Sequence, residues 1–148
     1  MNVSVRAVEA GDHAVWARLY AGYGDFYKVA QSDAMRATVW SWLHDPAFAL
    51  EGLVATDTEG RVIAIAHFRP YLRPLSASVG GFLDDLFVDP DARGSGAAQA
   101  LISAIEAIGR ARGWSVIRWI TAADNTRARV VYDRIATATP WVTYDIKL

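Results

Sequence analysis

Residues 82–101 read FLDDLFVDPDARGSGAAQAL, an apolar strand-like run that carries Asp84 and Asp85 and leads into a glycine turn and a helical pattern. In Arg93-Gly94-Ser95-Gly96-Ala97-Ala98 the small residues open the backbone to close approach. The first N–H groups of the helix that follows have no intrahelical acceptor, and its dipole adds positive character. With the charge of Arg93, the turn suits a pyrophosphate. A nucleoside-triphosphate loop is excluded, because no lysine follows either glycine. A dinucleotide fingerprint fails as well: after Gly94 and Gly96 the third position is Gln99, and only about one strand–helix–strand unit lies downstream. Asp84 and Asp85 are neighbours on a strand, so the alternation of side chains directs them to opposite faces and at most one into a cleft. Tyr132 shares an inward helical stripe with Val131 and Ile135, the pattern of a core aromatic.

The elements that must position these groups follow from periodicity. Residues 1–8 read as a first strand, Asp12 as a helix cap, and Val15, Trp16, Leu19, Tyr20 and Tyr23 as one helix face. Gly22, Gly24 and Asp25 then weaken the pattern into a loop holding Phe26 and Tyr27. A second helix spans 32–44, capped by Ser32 or Asp33 and ended ahead of Pro46. Runs 50–56 and 62–69 flank the hairpin signal Asp57-Thr58-Glu59-Gly60. Strand 79–88, helix 94–112, ended by Gly113, and strand 114–121 form a strand–helix–strand unit with a parallel, right-handed crossover. A short helix at 125–135 and a closing strand at 141–146 complete a mixed, twisted sheet with helices on both faces, one domain over 1–148.

Composition narrows the partners. The net charge of −1 gives no basic field for nucleic acid. Cysteine is absent, which removes thiolate zinc sites and cysteine nucleophiles and fits a reducing compartment. With no secretory signal and no apolar stretch of the ~20 residues that cross a bilayer, the expectation is a cytoplasmic protein without a membrane partner. No histidine pair has metal-ligand spacing, and no metal is expected. His67 reads as a core histidine, and His13 and His44 as helix-surface residues. Trp40 and Trp42 cannot share a helix face; with Trp141, the exposed one is a candidate for a pocket wall or a homodimer contact.

Two segments resemble the GCN5-related N-acetyltransferases. Arg93, Gly96 and Ala98 fill that family's acetyl-CoA motif, R/Q-x-x-G-x-G/A, and Asn125, Ala128 and Tyr132 fill its N-x-x-A-x-x-x-Y helix. The resemblance implies a mixed sheet of about six or seven strands flanked by helices, with an acetyl-CoA cleft between two splayed parallel strands. It implies that Leu86, Phe87 and Val88 pair with the pantetheine, that residues 93–98 hold the pyrophosphate, and that Asn125 lies beside the pantetheine arm. Tyr132 becomes the general acid that protonates the departing thiolate. The run Leu83-Asp84-Asp85-Leu86-Phe87-Val88 is similar to the L-E-D-F-F-V strand of the diamine acetyltransferases, where the first acid serves amine recognition or proton removal. Asp84 takes that place. An amine with a pKa near ~10.4 must lose a proton before it can attack. A backbone N–H of Leu86 or Phe87 is the expected oxyanion donor.

By the same resemblance Asp25, Phe26 and Tyr27 belong to the acceptor pocket. The chain departs from the family after the tyrosine, where many members have a Gly-Phe pair and this chain continues Ile135-Ala136-Thr137-Ala138-Thr139-Pro140-Trp141. The function implied is acetyl transfer to a small-molecule primary amine by direct attack in a ternary complex. A catalytically silent acyl-CoA-binding regulatory module and an enzyme acting on a protein amine are the alternatives.

Overall fold

An unbroken buried run over residues 63–68 marks the central strand, and the computed structural model, which describes residues 2–148, builds the sheet around it. The strands are β1 (Ser4–Ala7), β2 (Glu51–Thr56), β3 (Val62–Arg73), β4 (Ser78–Val88) and β5 (Ile117–Arg118), lying in that order. All pairs are antiparallel except β4 with β5, the crossover pair, which is parallel. The helices are α1 (His13–Phe26), α2 (Asp33–His44), α3 (Ala97–Arg112) and α4 (Thr126–Ile135). Met1 of the expected first strand lies outside the described residues.

Both faces of β3 are covered, which is why its apolar run does not alternate with polar residues. On one face Leu101 and Ile105 of α3 pack with Ala64, Ala66, Phe68 and Leu83. On the other, Trp16, Leu19 and Tyr20 of α1 pack with Val54 and Ile65. Each such side chain taken fully from water contributes about 1.5–3 kcal/mol.

Several expectations are corrected. α1 continues to Phe26 through Gly22 and Gly24. A Cβ on Gly22 would stand 3.0 Å from the Phe87 ring, so this glycine sets a close helix–strand approach and does not break the helix. Asp12 makes no side-chain cap to α1; its carboxylate takes two bonds from Arg6, at 2.7 and 2.9 Å, and one from the Glu9 N–H. Ser32 is the cap of α2, accepting from the Met35 N–H at 3.1 Å. Trp40 packs on Trp16, while Trp42 is exposed and stacks on Phe48.

Among the described residues the sheet has five strands, not six or seven. β5 is reduced to two residues, because it meets β4 only at Gly81–Ile117 and Phe82–Arg118 before the strands part. No strand forms at 141–146. The chain leaves α4 with Ala136 extended, at φ −148° and ψ 179°, and finds no partner in its own sheet.

Trp114 anchors the parallel pair by lying where Gly81 and Gly109 have no side chain. A Cβ on Gly81 would fall 2.5 Å from Trp114 Cε3 and 2.9 Å from Ile117 Cδ1. Gly81→Ala should therefore destabilise the fold by about 1–3 kcal/mol, the usual cost of overpacking. Urea denaturation checks this, and an unchanged midpoint would mean that the indole does not hold the pair.

Candidate active site

A cleft of about 540 Å³ opens where β4 leaves β5, walled by the end of β4, the start of α3, one side of α4 and the end of α1. All ten residues expected to hold the acyl donor line it: Leu86, Phe87 and Val88, residues 93–98, and Asn125. Tyr132, Phe26 and Tyr27 line it too. Asp25, on the exposed side of the last turn of α1, does not.

The turn is shaped for an anion. Gly94 and Gly96 have φ of +80° and +86°, the left-handed region that glycine enters without strain, and no atom lies within 4 Å of where a Cβ would stand on either. The Ala97 N–H is held by Ser95 Oγ at 3.3 Å. Among the described residues, the N–H groups of Gly94, Gly96, Ala98 and Gln99 have no acceptor. Arg93, Arg127 and Arg134 reach the same cleft and make no ion pair among the described residues. Four free donors and three unpaired guanidiniums fit a polyphosphate. Arg127 and Arg134 are absent from the sequence reading, although with Val131 they keep the i, i+4, i+7 spacing of one α4 stripe.

The end of β4 supplies a further donor. Asp89 N–H bonds to Ile63 carbonyl at 2.8 Å, so antiparallel alternation commits Phe87 and Asp85 to β3 and turns the N–H groups of Leu86 and Val88 toward the opening. Of the two expected oxyanion donors, Leu86 is the one with a free N–H. Asn125 caps α4, its side-chain oxygen accepting from Ala128 N–H at 3.4 Å. The Tyr132 ring packs against the core and edge-on to Trp119, at 5.4 Å between centroids. Its hydroxyl makes no hydrogen bond among the described residues, and burial, then Tyr27, push its pKa above the ordinary value.

Asp84 and Asp85 do not face opposite ways. In the β3–β4 ladder His67 pairs with Asp85 but Phe68 with Leu83, which makes Asp84 an extra, bulged residue. The bulge cancels one step of alternation, and both carboxylates fall in one cluster beneath α1. Asp85 accepts from Tyr20 Oη at 2.9 Å and from His67 Nδ1 at 2.8 Å. His67, fully buried, also lies 2.9 Å from Trp16 Nε1. Indole only donates, so His67 Nε2 accepts and the ring proton sits on Nδ1. Asp84 holds Arg69 Nε at 2.9 Å and does not line the cleft. Burial raises its pKa against the lowering effect of Arg69, and the Asp85 charge adds to the rise. This network is what the sequence reading missed, since only the bulge brings its members together.

With this geometry in place, the chain belongs to the Acetyltransferase (GNAT) family, which it matches over residues 16–136. It is an acyltransferase of that class. The D-amino-acid N-acetyltransferase HPA3 of Saccharomyces cerevisiae is 29% identical over 144 residues, spanning 97% of this chain and 89% of its own. A ribosomal-protein-alanine N-acetyltransferase from Brucella melitensis biovar Abortus superposes with a TM-score of 0.82 at 25% identity, over the whole of both chains. The fold is also that of the aminoglycoside N-acetyltransferase AAC(6')-Iy in complex with CoA, with a TM-score of 0.81 at 22% identity over 99% of this chain and 95% of that one.

Tyr132, Tyr20 and Tyr23 all have pKa values raised chiefly by burial. The folded state holds these protons more tightly than the unfolded chain. The stability they contribute is present below about pH 10, where a free phenol titrates, and is lost as the pH rises further. The melting temperature should fall above that pH. In a tyrosinate titration at 295 nm, Tyr132→Phe should remove amplitude only from the alkaline end, above about pH 10.

Proposed function

We propose that the enzyme moves an acetyl group from acetyl-CoA to the primary amine of a small molecule by direct attack in a ternary complex. The observation that carries the reading is the cleft itself, which gathers the unpaired N–H groups of the α3 turn, three free arginines, the free Leu86 N–H and Tyr132. Backbone donors at residues 94–99 and the guanidiniums of Arg93, Arg127 and Arg134 hold the phosphates. The Leu86 carbonyl and the Val88 N–H, unpaired on the cleft side, hydrogen-bond the pantetheine amides as a further strand would, with Asn125 beside the arm.

The neutral amine attacks the thioester carbonyl carbon, and the new C–N bond forms as negative charge collects on oxygen, where the Leu86 N–H receives it. The carbon–sulfur bond then breaks. Tyr132 gives its proton to the departing thiolate and is reprotonated from solvent, while the amine nitrogen loses one proton. Burial of Tyr132 favours this role, because it keeps the phenol protonated until it is needed. Asp84 and Asp85, two carboxylates against the single charge of Arg69, give the acceptor side a negative field that draws an ammonium ion and takes up its proton through water. Phe26 and Tyr27 shape the apolar side of the acceptor pocket. The yeast relative named for D-amino acids supports a small acceptor. The Brucella neighbour, named for a protein alanine, supports a protein N-terminus as the second reading.

Turnover of acetyl-CoA against D-amino acids, polyamines, aminoglycosides and an alanine-terminated peptide separates the two readings. Gly96→Val should abolish acetyl-CoA binding by calorimetry while the fold persists, because a branched side chain fills the phosphate's place and disfavours the positive φ. Unchanged affinity in a folded protein would remove the turn from the site. Tyr132→Phe should lower kcat by about 10²- to 10⁴-fold, toward the lower end because a thiol is already acidic, with little effect on acetyl-CoA affinity. A variant within twofold of the parent takes Tyr132 out of the mechanism.

A further inference from the structure

Two arginines stand where β4 parts from β5, on the face of the sheet away from α3. Ladder pairing sets Arg69 of β3, Phe82 of β4 and Arg118 of β5 abreast, and residues paired in a ladder share a face. Their neighbours fix which face it is. Phe68, Leu83, Ile117 and Trp119 pack with α3, so alternation turns Arg69, Phe82 and Arg118 to the α1 side. There His67 is wholly buried, but the Arg69 side chain two residues on is 43% exposed. The Arg69 guanidinium carbon lies 5.0 Å over the Phe82 ring, and Nε is held by Asp84 at 2.9 Å. Among the described residues both Nη groups of Arg69 lack a partner, and so does the whole guanidinium of the half-buried Arg118.

An arginine tied by its inner edge and stacked on a ring is already ordered, and its free outer edge matches a carboxylate with two parallel bonds. The geometry points to Arg69 and Arg118 as the receptor for a carboxylate on the acceptor, which is therefore an amino acid: its carboxylate lies over Phe82 between the two guanidiniums, and its amine beside Asp84. This inference rests on the acetyl-transfer reading and names its acceptor. Two strand spacings put the backbones of Arg69 and Arg118 about 10 Å apart, a gap that two long side chains close onto one anion. Along β4, Phe82, Asp84 and Leu86 succeed one another at steps of roughly 6–7 Å. Carboxylate, amine and oxyanion donor thus come in the order in which an amino acid meets a thioester carbonyl. The other charged groups on this face are engaged, Asp85 by Tyr20 and His67 and Arg73 by Ser115. Asp84 answers the charge of Arg69, and an acceptor carboxylate answers that of Arg118.

Kinetics with D- and L-alanine, phenylalanine and lysine, each beside its primary amide, read the two arginines directly. The parent should prefer the acids by about 10-fold or more in kcat/KM. The preference is telling because an amide's amine, with no anion beside it, sheds its proton more readily. Arg118→Met should lower kcat/KM for the acids by about 10- to 100-fold, through KM, and bring acid and amide together, while Arg118→Lys should restore part of the preference. Arg69→Met should show the same collapse with a further loss in kcat, since it also releases Asp84. Equal use of acids and amides by the parent overturns the inference, as does an Arg118→Met protein that loses both alike. Calorimetry of the same compounds on the enzyme saturated with CoA separates this from the reaction itself. No turnover of any amine defeats the acetyl-transfer reading; acids that bind no tighter than their amides, or that bind Arg118→Met as tightly as the parent, defeat the carboxylate receptor.

Discussion

Between Leu83 and Asp85 the β3–β4 ladder sets two residues against one, and that single surplus residue governs the geometry of the site. A bulge bends its strand and increases the local twist. β4 pairs with β5 up to Phe82, immediately before the bulge, and not beyond it. The parting that makes the cleft, the free N–H groups of Leu86 and Val88, and the gathering of Asp84 and Asp85 on one side all follow from it.

The two faces of the sheet carry different work. Beneath α3 the packing is almost wholly apolar, and it fixes the helix whose first turn forms the anion cradle. Beneath α1 the core admits a polar chain from Trp16 through His67 to Asp85 and Tyr20, each member with a partner. Burying such a chain is tolerable only when it is fully bonded, because an unpaired polar group in a low dielectric costs several times what a made bond contributes. The donor-only indole and the carboxylate together fix the tautomer of His67, so α1, β3 and β4 are held in one registration.

Charge is arranged along the cleft although the whole chain is nearly neutral. Arg93, Arg127 and Arg134 line the cleft, while the aspartates of β4 lie outside its lining, beneath α1, and are partly offset by Arg69. In the proposed reaction this separation draws a phosphate-bearing donor toward the arginines and an ammonium-bearing acceptor toward the aspartates, with Tyr132 in the lining of the cleft.

The sequence by itself determined what depends on neighbours in the chain. The left-handed glycines before α3, the Ser32 cap, the crossover unit and the α4 stripe each need only a few adjacent residues, and the ten positions that line the cleft together were legible for that reason. What required a distant partner was misread or missed. Gly22 looked like a helix breaker until Phe87 lay against it, and residues 141–146 looked like a closing strand although no edge of the sheet receives them. Alternation sent Asp84 and Asp85 to opposite faces, because periodicity assumes an unbroken ladder. Only the tertiary structure decided otherwise: a bulge exists between two strands and is a property of neither, so the residue that breaks the period is fixed by the pairing of β3 with β4.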